Sequence, residues 1–241
     1  MRISVVIPAF NEEKLIAATL EAIGEALNGF RRRGWETEVV VCDNNSTDRT
    51  PDLARRAGAK VVFEPINQIG RARNTGASAS TGEWLVFVDA DSRPTVALFD
   101  AVARAIESGR VIGGGSTVRL DGGGFAIRLV TEIWNCTSRC FRWMAGSFIF
   151  VERTAFERVG GFNLALFAAE EIDLSKRLKP LARETGRRLA ILHSAPLLTS
   201  ARKASLYSTR EILGFALRGL IRPQATVQSR DACMPWYDGR R

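Results

Sequence analysis

Four short, mainly apolar runs, at residues 3–7, 37–42, 60–63 and 84–88, alternate with longer segments in which apolar residues recur at helical spacing. The runs are too short for ordinary helices and rich in β-branched and aromatic residues, so they read as strands, the last of them buried on both faces. Between the first two, residues 14–30 place Leu15, Ala18, Leu20, Ile23 and Leu27 near one helical face. Thr50-Pro51 opens a second helix with proline near its first position. A third begins in the stretch Gly70-Arg71-Ala72-Arg73-Asn74-Thr75-Gly76. Strands joined through helices demand crossover connections, which predicts an α/β chain with a doubly wound, mostly parallel sheet and helices on both faces.

In such sheets ligands sit beyond the carboxyl ends of the strands. That singles out the run from Trp84 to Val88, which ends abruptly in Asp89-Ala90-Asp91. Two carboxylates with one residue between them can share a hard divalent cation through oxygen. A strand followed by an acidic turn would carry the same letters.

After Pro94 the pattern changes. The sequence predicts a helix over 96–108, a strand over 111–120, a helix over 125–143, a strand over 147–151, a helix over 168–181 and a strand over 189–192. An amphipathic helix over 205–221 carries Ile212, Leu213, Leu217, Leu220 and Ile221, with Arg210, Arg218 and Arg222 as its cations. No repeat, low-complexity tract or linker interrupts the chain. The expected organisation is one domain over 1–204, with a first half to about residue 95, and a basic helix and tail over 205–241.

Charge is unevenly placed. Residues 176–241 hold 14 Lys and Arg against 4 Asp and Glu; the chain totals of 34 and 26 leave 20 and 22 for the first 175 residues. The basic surplus therefore belongs to the C-terminal segment and suggests an anionic partner there. Cys42, Cys136, Cys140 and Cys233 form neither a disulfide framework nor a zinc pattern, which suggests reduced thiols. The chain enters a strand at once and has no long apolar run, so neither a signal peptide nor a spanning helix is expected. These features together suggest a cytoplasmic protein, with the membrane's inner surface as a further option.

Five pieces stand in order: Ile7-Pro8-Ala9-Phe10-Asn11-Glu12-Glu13, Val41-Cys42-Asp43-Asn44-Asn45-Ser46-Thr47-Asp48, Ala72-Arg73-Asn74-Thr75-Gly76, Phe87-Val88-Asp89-Ala90-Asp91, and Gly160-Gly161-Phe162 followed by Glu170-Glu171-Ile172-Asp173-Leu174. Together they resemble the inverting family 2 glycosyltransferases, whose fold is called GT-A. The resemblance covers roughly residues 3–200 and makes 1–95 a donor half and 96–204 an acceptor half. It implies transfer of one sugar from a nucleotide-diphosphate sugar, with UDP the commonest nucleotide, to an acceptor hydroxyl or phosphate. Several related enzymes use a lipid-linked acceptor, which would suit a peripheral membrane contact through 205–221.

The resemblance also assigns roles. Asp43, Pro8, Phe10 and Glu12 would wall and orient the nucleobase. Arg71 and Arg73 lie where the diphosphate needs cations, and guanidinium forks suit phosphate oxygens. Asp91, with Asp89 beside it, would hold Mg2+ or Mn2+ to neutralise the leaving diphosphate. Glu171 stands where the family usually has the aspartate that takes the acceptor's proton, with Asp173 as the alternative and Glu170 and Gly146 on the acceptor side. The chain departs from the pattern in three places: Glu for Asp at 171, no histidine in Leu197-Leu198-Thr199-Ser200-Ala201-Arg202, and no Gln-x-x-Arg-Trp motif of polymer-forming members. The only histidine, His193, comes too early to serve the metal, and Arg202 or Lys203 would be left to hold the diphosphate.

Other classes fit less well. A dinucleotide-binding dehydrogenase wants G-x-G-x-x-G after the first strand, and the loop here, Pro-Ala-Phe-Asn-Glu-Glu, has no glycine. The charge would suit nucleic acid, but no recognised module or aromatic-basic interleaving accompanies it, so no nucleic-acid partner is expected. A catalytically inactive nucleotide-sugar binder of the same fold is the alternative that Glu171 and the missing histidine keep open. A homodimer is a further option for the apolar side of 205–221.

Overall fold

The computed structural model describes residues 1–122, 124–200, 227–229 and 233. In chain order its elements are β1 (Arg2–Ala9), α1 (Ile16–Ala26), α2 (Asn28–Arg31), β2 (Glu36–Asp43), α3 (Thr50–Arg56), β3 (Lys60–Phe63), α4 (Ile69–Ser78), β4 (Trp84–Val88), β5 (Ser92–Arg93), α5 (Val96–Glu107), β6 (Val111–Leu120), α6 (Phe125–Phe141), β7 (Phe148–Glu152), α7 (Arg153–Arg158), α8 (Glu170–Glu184) and β8 (Arg188–Thr199). The expected helix over 205–221 and the residues Arg202 and Lys203 lie outside the described residues.

The strands form one sheet in the order β3-β2-β1-β4-β7-β6-β8-β5. β3, β2, β1 and β4 run parallel, as the alternation of strands and helices requires. The second half is mixed: β7 is antiparallel to both β4 and β6, β8 is parallel to β6, and the short β5 is antiparallel to β8. β4 is therefore central, with Trp84–Val88 flanked by β1 on one edge and β7 on the other, and all five of its residues are buried.

Its side chains alternate between two cores. Trp84, Val86 and Val88 face a cluster with Ile16 and Ile23 of α1, Phe30 of α2, and Phe99 and Val102 of α5. Leu85 and Phe87 face the other side, with Ala77 of α4, Phe156 of α7, and Leu174 and Leu178 of α8. A continuous apolar run is what a strand covered on both faces needs. α4 lies tight on β1: a Cβ at Gly76 would stand 2.5 Å from Val6 Cγ1.

Two strands run past the ends expected from the sequence. β1 continues through Pro8 to Ala9. Its pairing with β4 covers only Ile3 to Val6, so the missing proline N–H falls beyond the ladder on that side. β8 runs on to Thr199 because its second part re-pairs with β6 after a register shift between Ser116 and Val118; polar Ser194 and Pro196 hide that continuation in the sequence.

Candidate active site

The site is assembled where β1, β2 and β4 end. The loops after β1 and β2 are laced together. Asn11, at φ 53°, accepts from Thr47 N at 2.8 Å, and its own N–H donates to Ser46 Oγ at 3.0 Å. Asp43, buried at the end of β2, accepts from Ser46 N at 3.1 Å. Glu12 is buried, and its N–H donates to Thr50 Oγ1 at 2.7 Å. Pro8 sits in β1 beside Cys42 of β2, and Phe10 is partly buried just beyond it. The four residues expected around a nucleobase thus lie at or just beyond the ends of the paired strands β1 and β2. Asp48 turns inward to Thr50, taking its N–H at 2.9 Å, and so fixes the start of α3.

The centre of the site is Arg73 of α4. Its side chain is 1% exposed and lies over the Phe162 ring, 5.2 Å from the centroid. Nη1 donates to Glu170 Oε1 at 2.6 Å; Nη2 donates to Asp89 Oδ1 at 3.0 Å and to Gly146 O at 2.7 Å. Its Nε is buried without a hydrogen-bond partner among the described residues. Burial opposes the charge, but Asp89, Glu170 and Glu171 outweigh it and hold the guanidinium protonated. In this arrangement Arg73 braces the acids from beneath, where the sequence reading placed it on a diphosphate. Arg71, two residues before it, donates from Nε to Gln68 Oε1 at 3.0 Å and is only partly buried.

α8 supplies the second pair of acids. It begins after Ala169, which takes the left-handed conformation (φ 59°) rare for a residue with a Cβ. From that bend Glu170 goes to Arg73. Glu171 lies against Gly146: a Cβ there would meet the Glu171 carboxyl carbon at 3.4 Å and Arg73 Nη2 at 3.5 Å. Burial, and then the neighbouring Glu170, push the Glu171 carboxyl up to about 8. Asp173 faces elsewhere, holding Arg177 at 2.7 and 2.6 Å. Three polar residues hold this frame that sequence reasoning did not single out. Asn74 brackets the Phe162 backbone with two 2.9 Å bonds. Asn44 accepts from Gln68 N, and Gln68 holds the carbonyls of Leu164 and Leu166. An asparagine inside a helix, as Asn74 is, was the one available signal.

Asp89 and Asp91 leave β4 together, with Asp91 8% exposed and the Asp89 side chain 19% exposed. Ser92 Oγ donates to Thr199 Oγ1 at 2.9 Å, and Ser200 N donates to Asp91 O at 3.2 Å. The end of β8 thus lies beside the acids and brings the hydroxyl of Thr199 to Ser92. His193 is exposed farther back on β8, beside Glu132 and Cys136. Among the described residues no three His, Cys, Asp or Glu side chains form a metal cage. A pair of carboxylates that furnishes only part of a shell suits Mg2+ or Mn2+, which take few protein oxygens and complete their coordination with substrate phosphates and water.

The family model for "Glycosyl transferase family 2" matches residues 4–168. Among curated proteins, the "Probable glycosyltransferase YdaM" of Bacillus subtilis is 28% identical over 204 residues, covering 73% of this chain and 46% of that protein. This chain therefore spans less than half the length of that relative. Among solved structures, the mannosyltransferase PcManGT from Pyrobaculum calidifontis, in complex with GDP-Man and Mn2+, superposes with a TM-score of 0.69 at 23% identity, over 96% of this chain and 64% of that one. Glucosyl-3-phosphoglycerate synthase from Mycobacterium tuberculosis, with Mn2+, UDP-Glc and phosphoglyceric acid, gives 0.65 at 22% identity, over 94% and 79%. At these identities the two structures establish the shared fold.

Proposed function

The chain belongs to glycosyl transferase family 2, and from that premise we propose that it moves one sugar from a nucleotide-diphosphate sugar to an acceptor hydroxyl or phosphate, inverting the anomeric carbon. The observation that carries this reading is the convergence on Arg73 of Asp89 from the strand end and of Glu170 and Gly146 from the acceptor side, with Glu171 against Gly146. It puts Asp89, which we read as a donor-side acid, near Glu171, which we read as the base.

Each residue then has a task. Asp43, Pro8, Phe10 and Glu12 wall the nucleoside. Held by Asp89 and Asp91, Mg2+ or Mn2+ would neutralise the leaving diphosphate as a Lewis acid. Glu171 takes the acceptor's proton on a carboxylate oxygen as the acceptor oxygen bonds to the anomeric carbon. The bond from that carbon to the diphosphate breaks on the opposite face and leaves its electron pair on phosphate oxygen. A base is most effective when its pKa lies near the working pH, and a carboxyl raised to about 8 meets that condition in mildly alkaline solution. The similar solved structures hold GDP-Man in one case and UDP-Glc in the other; UDP is the nucleotide we assign, from its frequency in the family.

The test is a thermal-shift panel of UDP, GDP and their sugars, with Mn2+ and with EDTA, run beside a transfer assay. We expect UDP-sugar with Mn2+ to raise the melting temperature and EDTA to abolish the rise. Equal nucleotide affinity in both would remove the metal from the reading. Normal donor binding with no hydrolysis or transfer to any acceptor would favour the inactive binder.

A further inference from the structure

α6 leaves one side unused. Phe125, Leu129, Val130, Ile133 and Phe141 are 83%, 50%, 65%, 58% and 56% exposed. At 100° per residue these positions fall on one broad side, an apolar stripe along a helix of about 24 Å from first to last Cα. Its other side is anchored: Asn135 exchanges two hydrogen bonds with the Val118 backbone, and Ser138 Oγ donates to Trp143 O.

The stripe runs into a cavity of about 300 Å3, lined by Cys140 and Phe141 at the end of α6 and by Arg142, Lys179, Arg183, Arg187 and Arg188. Among the described residues no carboxylate lines it. Among the described residues Arg187 alone of the five is ion-paired, with Glu152 at 2.7 Å, while Lys179 Nζ donates to Phe141 O at 2.6 Å. Partial burial, and then the like charges of Arg142, Arg183 and Lys176, depress the Lys179 ammonium. Lys176 and Lys179 also lie 5.9 and 6.0 Å from the Trp143 ring centroid.

We propose that this α6–α8 surface docks on an anionic lipid bilayer, with the apolar stripe in the headgroup region and lipid phosphates in the cation-lined cavity. Charge complementarity favours an anionic bilayer over two other occupants. A second copy would bring a surface carrying the same cations. Residues 201–241 carry 8 Lys and Arg against 3 Asp and Glu, so the chain's own tail brings the same sign. An amphipathic helix with aromatic and aliphatic residues on one side and flanking cations matches an interface that is anionic outside and apolar within. None of the residues that form this surface belongs to 205–221. It also leads directly to Gly146, since the chain passes from α6 to that residue in five steps.

The experiment is co-sedimentation of the full chain with phosphatidylcholine vesicles, pure or containing phosphatidylglycerol. Salt-sensitive pelleting is expected with phosphatidylglycerol only. Removing two cations in K179Q/R183Q, or spoiling the stripe in V130E/I133E, should lower partitioning roughly tenfold or more. On the unaltered chain, a polarity-sensitive dye on the exposed thiols of Cys136 and Cys140 should shift to the blue with those vesicles and not with neutral ones; Cys42 and Cys233 are buried. The proposal is overturned by absence of pelleting at low salt. It is equally overturned if binding is lost in R218E/R222E and kept in both other variants, or if V130E/I133E splits a dimer and leaves pelleting unchanged.

Discussion

Arg73 is the residue on which the site depends, because it is a buried cation shared by acids 16 and 97 positions away. Removing it takes the 2.6 Å ion pair from buried Glu170 and one charge-assisted hydrogen bond from Asp89, in a place that water reaches poorly. We expect Arg73→Ala to lower stability in urea melts by about 3–5 kcal/mol, the usual cost of stripping one member from a buried pair. Arg73→Lys should recover only part of this, since one ammonium cannot present the guanidinium's fixed fork. For Glu171, burial and Glu170 raise the carboxyl from 4.5 to about 8. The folded protein thus keeps a proton that the unfolded chain loses near pH 4.5, so stability falls as pH rises from there through about 8. Glu171→Gln removes that loss and should raise stability above pH 8 by roughly 1–3 kcal/mol. The same change should cut transfer by about 10²–10⁴. In the parent protein, kcat/KM should climb with pH to a plateau above 8; a profile flat from pH 6 to 9 would rule Glu171 out as the base. The acid pair at 89 and 91 was legible because its spacing and place after an apolar run are local. The bracing role of Arg73 was not, since its partners come from distant parts of the chain.

Elements were legible where pattern and length agree. β3, β4 and β6 match the expected bounds because each is an apolar or glycine-rich run closed by turn residues. β5 and α7 were invisible, being two and six residues long, too short to show a period. What the pattern could not show is how closely elements approach. α4 rests on β1 through Gly76, where an added methyl would overlap Val6 Cγ1 at 2.5 Å. Gly76→Ala should therefore cost about 1–3 kcal/mol as an overpacked contact. Val6→Ala introduced with it should restore part of that loss, so the pair should be far from additive in a double-mutant cycle. Additive losses would mean that the helix simply shifts away. Gly114 in β6 is tighter still, since its Cβ would overlap the Ala190 carbonyl oxygen in the neighbouring strand.

At the scale of the whole molecule, the parallel half of the sheet followed from alternation, and the antiparallel entry of β7 did not, because strand direction leaves no mark on hydrophobic period. The expected halves of 1–95 and 96–204 also share more than a boundary. β4 closes the first half, and the strand that covers its far edge, β7, belongs to the second. Residues 1–95 expressed alone should be insoluble, since they would present Trp84–Val88 with one edge bare; a soluble, monomeric fragment with native-like melting would contradict this. The same topology sets a schedule during synthesis. About 60 residues separate the end of β4 from the start of β7, which is roughly 3–12 s of translation at ordinary speeds. For that interval every nascent copy carries an open, aggregation-prone strand edge, and chaperone capacity as well as native stability will set how much of the protein a host accumulates.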